Sequence, residues 1–299
     1  MRDLYQEVSQ RILIQLETGV APWVKPWSTS TVTGGNMPRN SITQRRYSGV
    51  NVLMLWSAMA RPDFTTPEFA TFRQIKLAGG MVRKGESGFK VYFVKPLESK
   101  TKKDSKGNPA KFFMLKEYTV FNIAQCDGLP IRATGAPVAP RNDSLRITEI
   151  EDFMISTGAE IRHGGDRAFY SPHYDSIVLP EFESFKGAAD YYGVAIHELA
   201  HWTGAKTRLN REFGARFGDS KYAAEELVAE LTSAFLSAEF GIDGTLQHAE
   251  YIGNWISLLK DDSRAFFTAC SKAQGAADYL RNLALVDESS AEEDSAEAA

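Results

Sequence analysis

Cysteine is nearly missing from this chain: its 299 residues hold two, Cys126 and Cys270, far apart and without C-x-x-C spacing. That excludes a disulfide framework and a thiolate zinc site, and it fits a reducing cytoplasm. No apolar stretch approaches the length of a bilayer span, and the opening Met1-Arg2-Asp3-Leu4-Tyr5-Gln6-Glu7 has no continuous apolar run of the signal-peptide kind. Neither membrane insertion nor export is expected, so the expected location is cytoplasmic. Histidine is scarce too, at five, which makes the placement of two of them informative.

Hydrophobic residues make up 43% of the sequence, ordinary for a soluble globular protein, and the length suits two domains. A net charge of -4 conceals an uneven distribution. Residues 1–130 carry 19 Lys and Arg against 10 Asp and Glu, whereas residues 131–299 carry 15 against 28. The last stretch, 287–299, holds six of those acids and no aromatic or branched apolar residue, a composition that predicts a disordered acidic tail. An anionic partner would be steered to the first half.

The chemistry-bearing pattern is His197-Glu198-Leu199-Ala200-His201, an H-E-x-x-H inside an apolar run, with Gly187 and Gly204 placed to punctuate a helix on either side. By chance such a pattern would occur in so histidine-poor a chain with a probability on the order of one in a hundred. Residues four apart lie one turn above each other, so both imidazoles can grip one ion while Glu198 projects beside it. Two neutral imidazoles suit Zn2+, one per chain, with other divalent metals as alternatives. A third protein ligand leaves one position for a water that Glu198, the catalytic base, deprotonates.

The third ligand is sought on the helix that follows Tyr222. At 100° per residue, Leu227, Leu231, Ala234, Phe235 and Ala238 form one apolar face, and Glu226, Glu230, Ser233 and Ser237 an adjoining stripe. That stripe mixes carboxylates with small residues, as though something packs closely over it. Glu226 is the expected ligand and Glu230 the acceptor for a ligand imidazole N–H. Exchange of those roles, or a role for Glu225, which points away from both faces, stays open.

In the first half, Leu4, Val8, Ile12 and Leu16 predict a helix over 3–18, and a second apolar helix runs through Leu53, Leu55, Trp56 and Met59. A third is expected from Thr65 or Thr66 to Gly79-Gly80. Strands follow at Phe89–Val94, Phe112–Met114 and Tyr118–Ile123, with a polar loop over Ser99–Lys111. The surplus of basic groups and the interleaved aromatics point to single-stranded DNA, whose phosphates need Lys and Arg and whose exposed bases need aromatic faces. Candidate contacts are Trp23, Trp27, Arg45, Arg46, Tyr47, Arg73, Lys76, Arg83, Lys84 and Lys90. Taken alone, Trp23 and Trp27 read first as packing on the first helix.

Residues 131–140, rich in proline and alanine, read as a linker between a first domain over 1–130 and a second over 141–286. The second opens with a helix over Leu145–Ser156 and short strands near 159–162, 168–170 and 176–179. A small antiparallel-type sheet packed on the H-E-x-x-H helix, its last strand offering backbone hydrogen bonds to an extended peptide, would form a protease cleft. The fold class is α+β. His163, His173 and His248 have no ligand spacing and are read as surface or structural.

Several segments match a known pattern. They are Glu17-x-Gly19-x-x-Pro22-Trp23-x-x-Pro26-Trp27, Tyr47-x-Gly49-x-Asn51, Lys84-Gly85-Glu86-x-Gly88 and Tyr118-x-Val120-Phe121-Asn122-x-x-Gln125-Cys126, then His197-Glu198-Leu199-Ala200-His201-Trp202-Thr203-Gly204 and Glu225-Glu226-Leu227-Val228-Ala229-Glu230. On these the chain resembles the ArdC-type antirestriction proteins of conjugative plasmids, whose N-terminal region is shared with certain plasmid transfer primases. The resemblance implies an N-terminal single-stranded DNA-binding domain, a C-terminal zincin-like metallopeptidase domain, and protection of incoming plasmid DNA from restriction. The protein substrate is unknown, with a component of a restriction system as one candidate. The competing reading is a non-catalytic protein that binds and occludes DNA and uses the metal as a structural staple.

Overall fold

The turn-spaced apolar residues of the first segment form α1 (Leu4–Glu17), capped by the Asp3 carboxylate, which accepts from the amides of Tyr5 and Gln6. The structure is a computed structural model and describes residues 3–24, 37–59, 61, 63–64, 66–103, 107–129, 145–213, 220–242 and 251–297. Trp27 and the linker expected at 131–140 lie outside them. After α1 come β1 (Arg39–Asn40), α2 (Val50–Met59), β2 (Glu68–Thr71), α3 (Phe72–Leu77), β3 (Met81–Val82), β4 (Phe89–Lys103), β5 (Pro109–Asn122) and β6 (Cys126–Asp127). The second half contains α4 (Thr148–Ser156), β7 (Glu160–His163), β8 (Phe169–Ser171), β9 (Ser176–Leu179), α5 (Ala188–Thr203), α6 (Lys221–Phe240), α7 (Ile252–Asp261) and α8 (Ala265–Glu297).

Several expectations change. The helix expected from Thr65 or Thr66 is a strand at its start: β2 pairs antiparallel with β5 and parallel with β1, burying Phe69 and Ala70. Sheet pairing overrides the Thr-Thr-Pro start signal, and the helix begins only at Phe72, where Thr71 and Gln74 form a reciprocal capping box. The polar loop expected over Ser99–Lys111 is largely hairpin, because β4 and β5 stay paired as far as Lys103 opposite Pro109. Residues 287–297, expected to be disordered, continue α8; their Ala and Glu content favours a helix.

The first sheet has the order β1-β2-β5-β4. The sheet of the second half has the order β7-β9-β8 and is mixed, with β9 antiparallel to β8 and parallel to β7. The strand expected to offer an open edge, β9, is therefore the central one. The edges are β7 and β8, and β8 carries residues that line the cleft.

The apolar core of the first half is continuous with the C-terminal helices. Val8, Trp23, Val52, Phe69 and Val91 share one cluster with Leu227, Phe235, Trp255 and Phe266. A second cluster joins Ile150, Ile177, Leu179, Tyr191 and Leu199 to Leu236 and Leu280. Helix α6 forms a wall of both cores, which explains why it is buried on nearly every side. Polar ties reinforce the junction: Arg46 reaches Glu239 at 2.8 Å, and the Gly49 amide donates to the Gln274 side chain at 3.1 Å.

Candidate metal centre

Helix α5 starts at Gly187 and stops at Gly204, the two glycines expected to bound it. Its inner face packs on α6, and at the crossing the Ser233 hydroxyl donates to the Gly193 carbonyl at 2.8 Å. The mixed stripe is thus the contact surface with α5: Glu226, Glu230, Ser233 and Ser237 are all buried. Small residues let the helices approach, and the carboxylates face the histidines.

His197, His201 and Glu226 bring one ligand atom each within 4.8 Å of one another. The two Nε2 atoms are 3.1 Å apart, His197 Nε2 is 3.5 Å from Glu226 Oε2, and His201 Nε2 is 3.7 Å from Glu226 Oε1. Ligands of a tetrahedral ion with bonds of about 2.0–2.2 Å lie roughly 3.3–3.6 Å apart. The donor triangle therefore fits such an ion closely.

Each imidazole has a further carboxylate behind it. Glu230 Oε2 lies 3.6 Å from His197 Nδ1, the side expected of it. Glu225, expected to point away, instead approaches His201 Nδ1 at 3.1 Å. Arg211 holds that carboxylate: its Nε donates to Glu225 Oε2 at 2.8 Å, and its Nη2 bonds Glu225 Oε1 and, at 2.7 Å, the Ala200 carbonyl. Its Nη1 donates to the Thr203 hydroxyl at 2.8 Å. A Cβ on Gly204 would sit 2.8 Å from this guanidinium, so the glycine leaves room for the clamp as well as ending the helix. Nothing in the sequence around Arg211 marks it; only the turn after α5 brings it back.

Charges are balanced inside the cluster. Burial opposes a charge on His201, but the Glu225 and Glu226 carboxylates outweigh it and push its pKa up to about 10. His197 is likewise raised, against burial, by Glu226 and Glu230. Burial would raise Glu225, yet Arg211 and His201 draw it down to about 2, and Glu226 falls below the usual carboxylate range through the two histidines. An ion at this site would take the place of protons on the two Nε2 atoms facing Glu226, while the Nδ1 atoms would stay turned to Glu225 and Glu230.

The triangle opens on a cleft of about 1280 Å³ whose lining includes Tyr170, Glu198, Arg211, Tyr222 and Tyr251. Glu198 is only 6% exposed. The Tyr222 and Tyr251 hydroxyls meet at 3.0 Å on the cleft wall; this hydrogen bond, together with burial, holds the Tyr222 proton above its ordinary pKa. Phe169 and Tyr170 of edge strand β8 line the cleft as well. His163, read as surface or structural, is exposed on β7 with its Nε2 2.8 Å from the Tyr191 hydroxyl.

The expected DNA contacts do not form one set. Trp23 is buried, edge-on to Trp255 at 5.4 Å between ring centroids, and Tyr47 is buried in the same core, so neither offers a face to a base. The Pro-flanked tryptophan serves packing. Arg46 is engaged by Glu239 at 2.8 Å, and Lys90 by Glu117 at 3.3 Å and the Thr119 hydroxyl at 3.0 Å. Arg83 pairs with Glu86 at 3.0 Å and donates to the Ala124 carbonyl at 2.7 Å. Arg45, Arg73, Lys76 and Lys84 remain exposed.

Residues 2–121 match the N-terminal domain of anti-restriction factor ArdC, and residues 148–272 match the zincin-like metallopeptidase family. The metal-free crystal structure of the antirestriction ArdC protein from plasmid R388 superposes with a TM-score of 0.81 at 40% identity, covering 95% of this chain and 98% of that one. Its Mn(II)-bound structure gives 0.75 at 38% identity, with the same coverage of 95% and 98%. The y4eC protein of Sinorhizobium fredii is 38% identical over 93% of this chain and 91% of its own length. DNA primase TraC of Escherichia coli is 38% identical over 93% of this chain, which spans only 27% of the primase. Together with the donor triangle, the zincin-like match and the manganese-bound relative indicate a divalent-metal site.

Proposed function

Because the chain belongs to the ArdC antirestriction family and carries a zincin-like domain, we propose that it is a zinc metallopeptidase that binds single-stranded DNA and protects incoming plasmid DNA from restriction in the cytoplasm. The observation that carries the peptidase reading is Glu198, a carboxylate outside the donor triangle that lines the cleft beside it. A structural staple needs the three donors and has no use for this group.

His197, His201 and Glu226 would hold the ion, and Glu225 and Glu230 would orient the two rings. When bound, the ion supplies Lewis acidity toward a peptide carbonyl and an attacking water. Glu198 takes the proton from that water and returns it to the leaving amine, a role commonly worth about 10²- to 10⁴-fold in rate. Edge strand β8, beside the cleft, accepts an extended peptide by backbone pairing, which presents its carbonyl to the site.

The test is a proteome comparison of recipient cells that contain either the intact protein or Glu198→Ala. Fragments dependent on Glu198 are expected. Identical proteomes, with metal content matched, would overturn the peptidase reading.

A further inference from the structure

Among the described residues, the β4–β5 hairpin leaves the Phe93 and Tyr118 rings in solvent. Phe93 and Tyr118 are 48% and 46% exposed, and their centroids lie 5.5 Å apart, edge to face. The register explains why they meet. Phe93 pairs with Lys116, Val91 with Tyr118 and Lys95 with Met114, so all six side chains share one face of the antiparallel ladder. Near the body that face is buried, with Val91 and Val120 in the main core. Further out it emerges carrying both rings, the exposed Met114 and the exposed Lys95 and Lys116.

We infer that this outer face of the hairpin is where single-stranded DNA lies, with bases stacked on Phe93 and Tyr118 and phosphates against Lys95 and Lys116. The inference rests on the single-stranded DNA reading above and gives it a surface. Residues 89–122 contain eight lysines and three acids, which suits a polyanion. Lysine is depleted at the centre of protein interfaces, and a second copy would bring like charges together. Duplex DNA keeps its base faces stacked inside, so the rings would gain nothing from it, whereas every unpaired base offers a face.

The test uses the full-length chain, a fluorescent oligothymidylate and its duplex, with anisotropy measured across a salt series. Phe93→Ala combined with Tyr118→Ala should weaken single-strand binding by about a hundredfold and leave the salt dependence unchanged. Lys95→Gln combined with Lys116→Gln should lower the slope of log affinity against log salt by about 1.4, at about 0.7 per phosphate contact. All four side chains are exposed, so thermal unfolding should be unaltered, and Phe93→Tyr with Tyr118→Phe should bind like the original.

If the unaltered protein ignores single strands, the DNA reading itself fails and this surface with it. If it binds and the aromatic double variant binds equally well, the reading stands and the surface is wrong. A double variant that loses self-association in sedimentation while keeping DNA affinity would assign the face to a second copy and also overturn the inference.

Discussion

The metal centre and the β4–β5 hairpin place their functional groups in opposite surroundings. Around the ion site both imidazoles are sheltered and backed by a second group: Glu230 stands behind His197, and Arg211 and Glu225 stand behind His201. On the hairpin the rings and ammonium groups face solvent, and what fixes them is strand register alone. A metal needs ligands held to within tenths of an ångström. A flexible polyanion needs an accessible, charged, sequence-tolerant platform. Substitutions in the first region should therefore act on metal content, and those in the second on DNA affinity.

The largest effect belongs to the donor triangle. His201→Ala and Glu226→Ala should each lose nearly all bound metal, while Glu225→Ala and Glu230→Ala keep one ion per chain at saturating metal. Elemental analysis after dialysis decides this, and undiminished metal in Glu226→Ala would remove it from the ligand set.

Next comes the aromatic comparison. Trp23→Ala empties a site where the ring packs against Trp255 and Phe266, and it should cost about 3–5 kcal/mol of stability. Phe93→Ala, at an exposed position, should stay within about 0.5 kcal/mol. Denaturant midpoints check both. A Trp23→Ala protein with unchanged stability would mean that the tryptophan is not a core residue.

A smaller change sharpens the account of the sheltered site. Glu225→Gln removes the charge that holds His201 and should weaken metal affinity by about 10- to 100-fold without changing stoichiometry. Chelator competition measures it. Unchanged affinity would leave Arg211 and Glu225 as a helix-end brace with no bearing on the ion.

The two regions also differed in how far the sequence revealed them. His197, Glu198 and His201 are local, and a helical period alone places them together. The same period picked out Glu226, Glu230, Ser233 and Ser237 as a face under close packing, which α5 provides. A helical wheel turns Glu225 away from both faces because it shows only directions from one axis, whereas His201 Nδ1 and Arg211 meet it there. Arg211 was illegible because it arrives by a turn of irregular backbone. In the first half, Trp23 between prolines looks alike as a stacking platform or a core residue. Phe93 and Tyr118 read as ordinary strand alternation, since nothing in the residues alone tells where a paired ladder outruns the body beneath it. Continuity of the core from α1 and α2 into α6 and α8 was invisible for the same reason.

The central claim is that protection from restriction requires the chemistry of the sheltered site as well as the DNA surface. Plasmid transfer into a restricting recipient and an isogenic non-restricting one, carried out with Glu198→Ala, tests it most directly. The variant's metal content and DNA affinity are verified first, and both should match the original protein. The account predicts that transfer into the restricting recipient falls to the unprotected level while transfer into the other is unchanged; full protection by Glu198→Ala would contradict it.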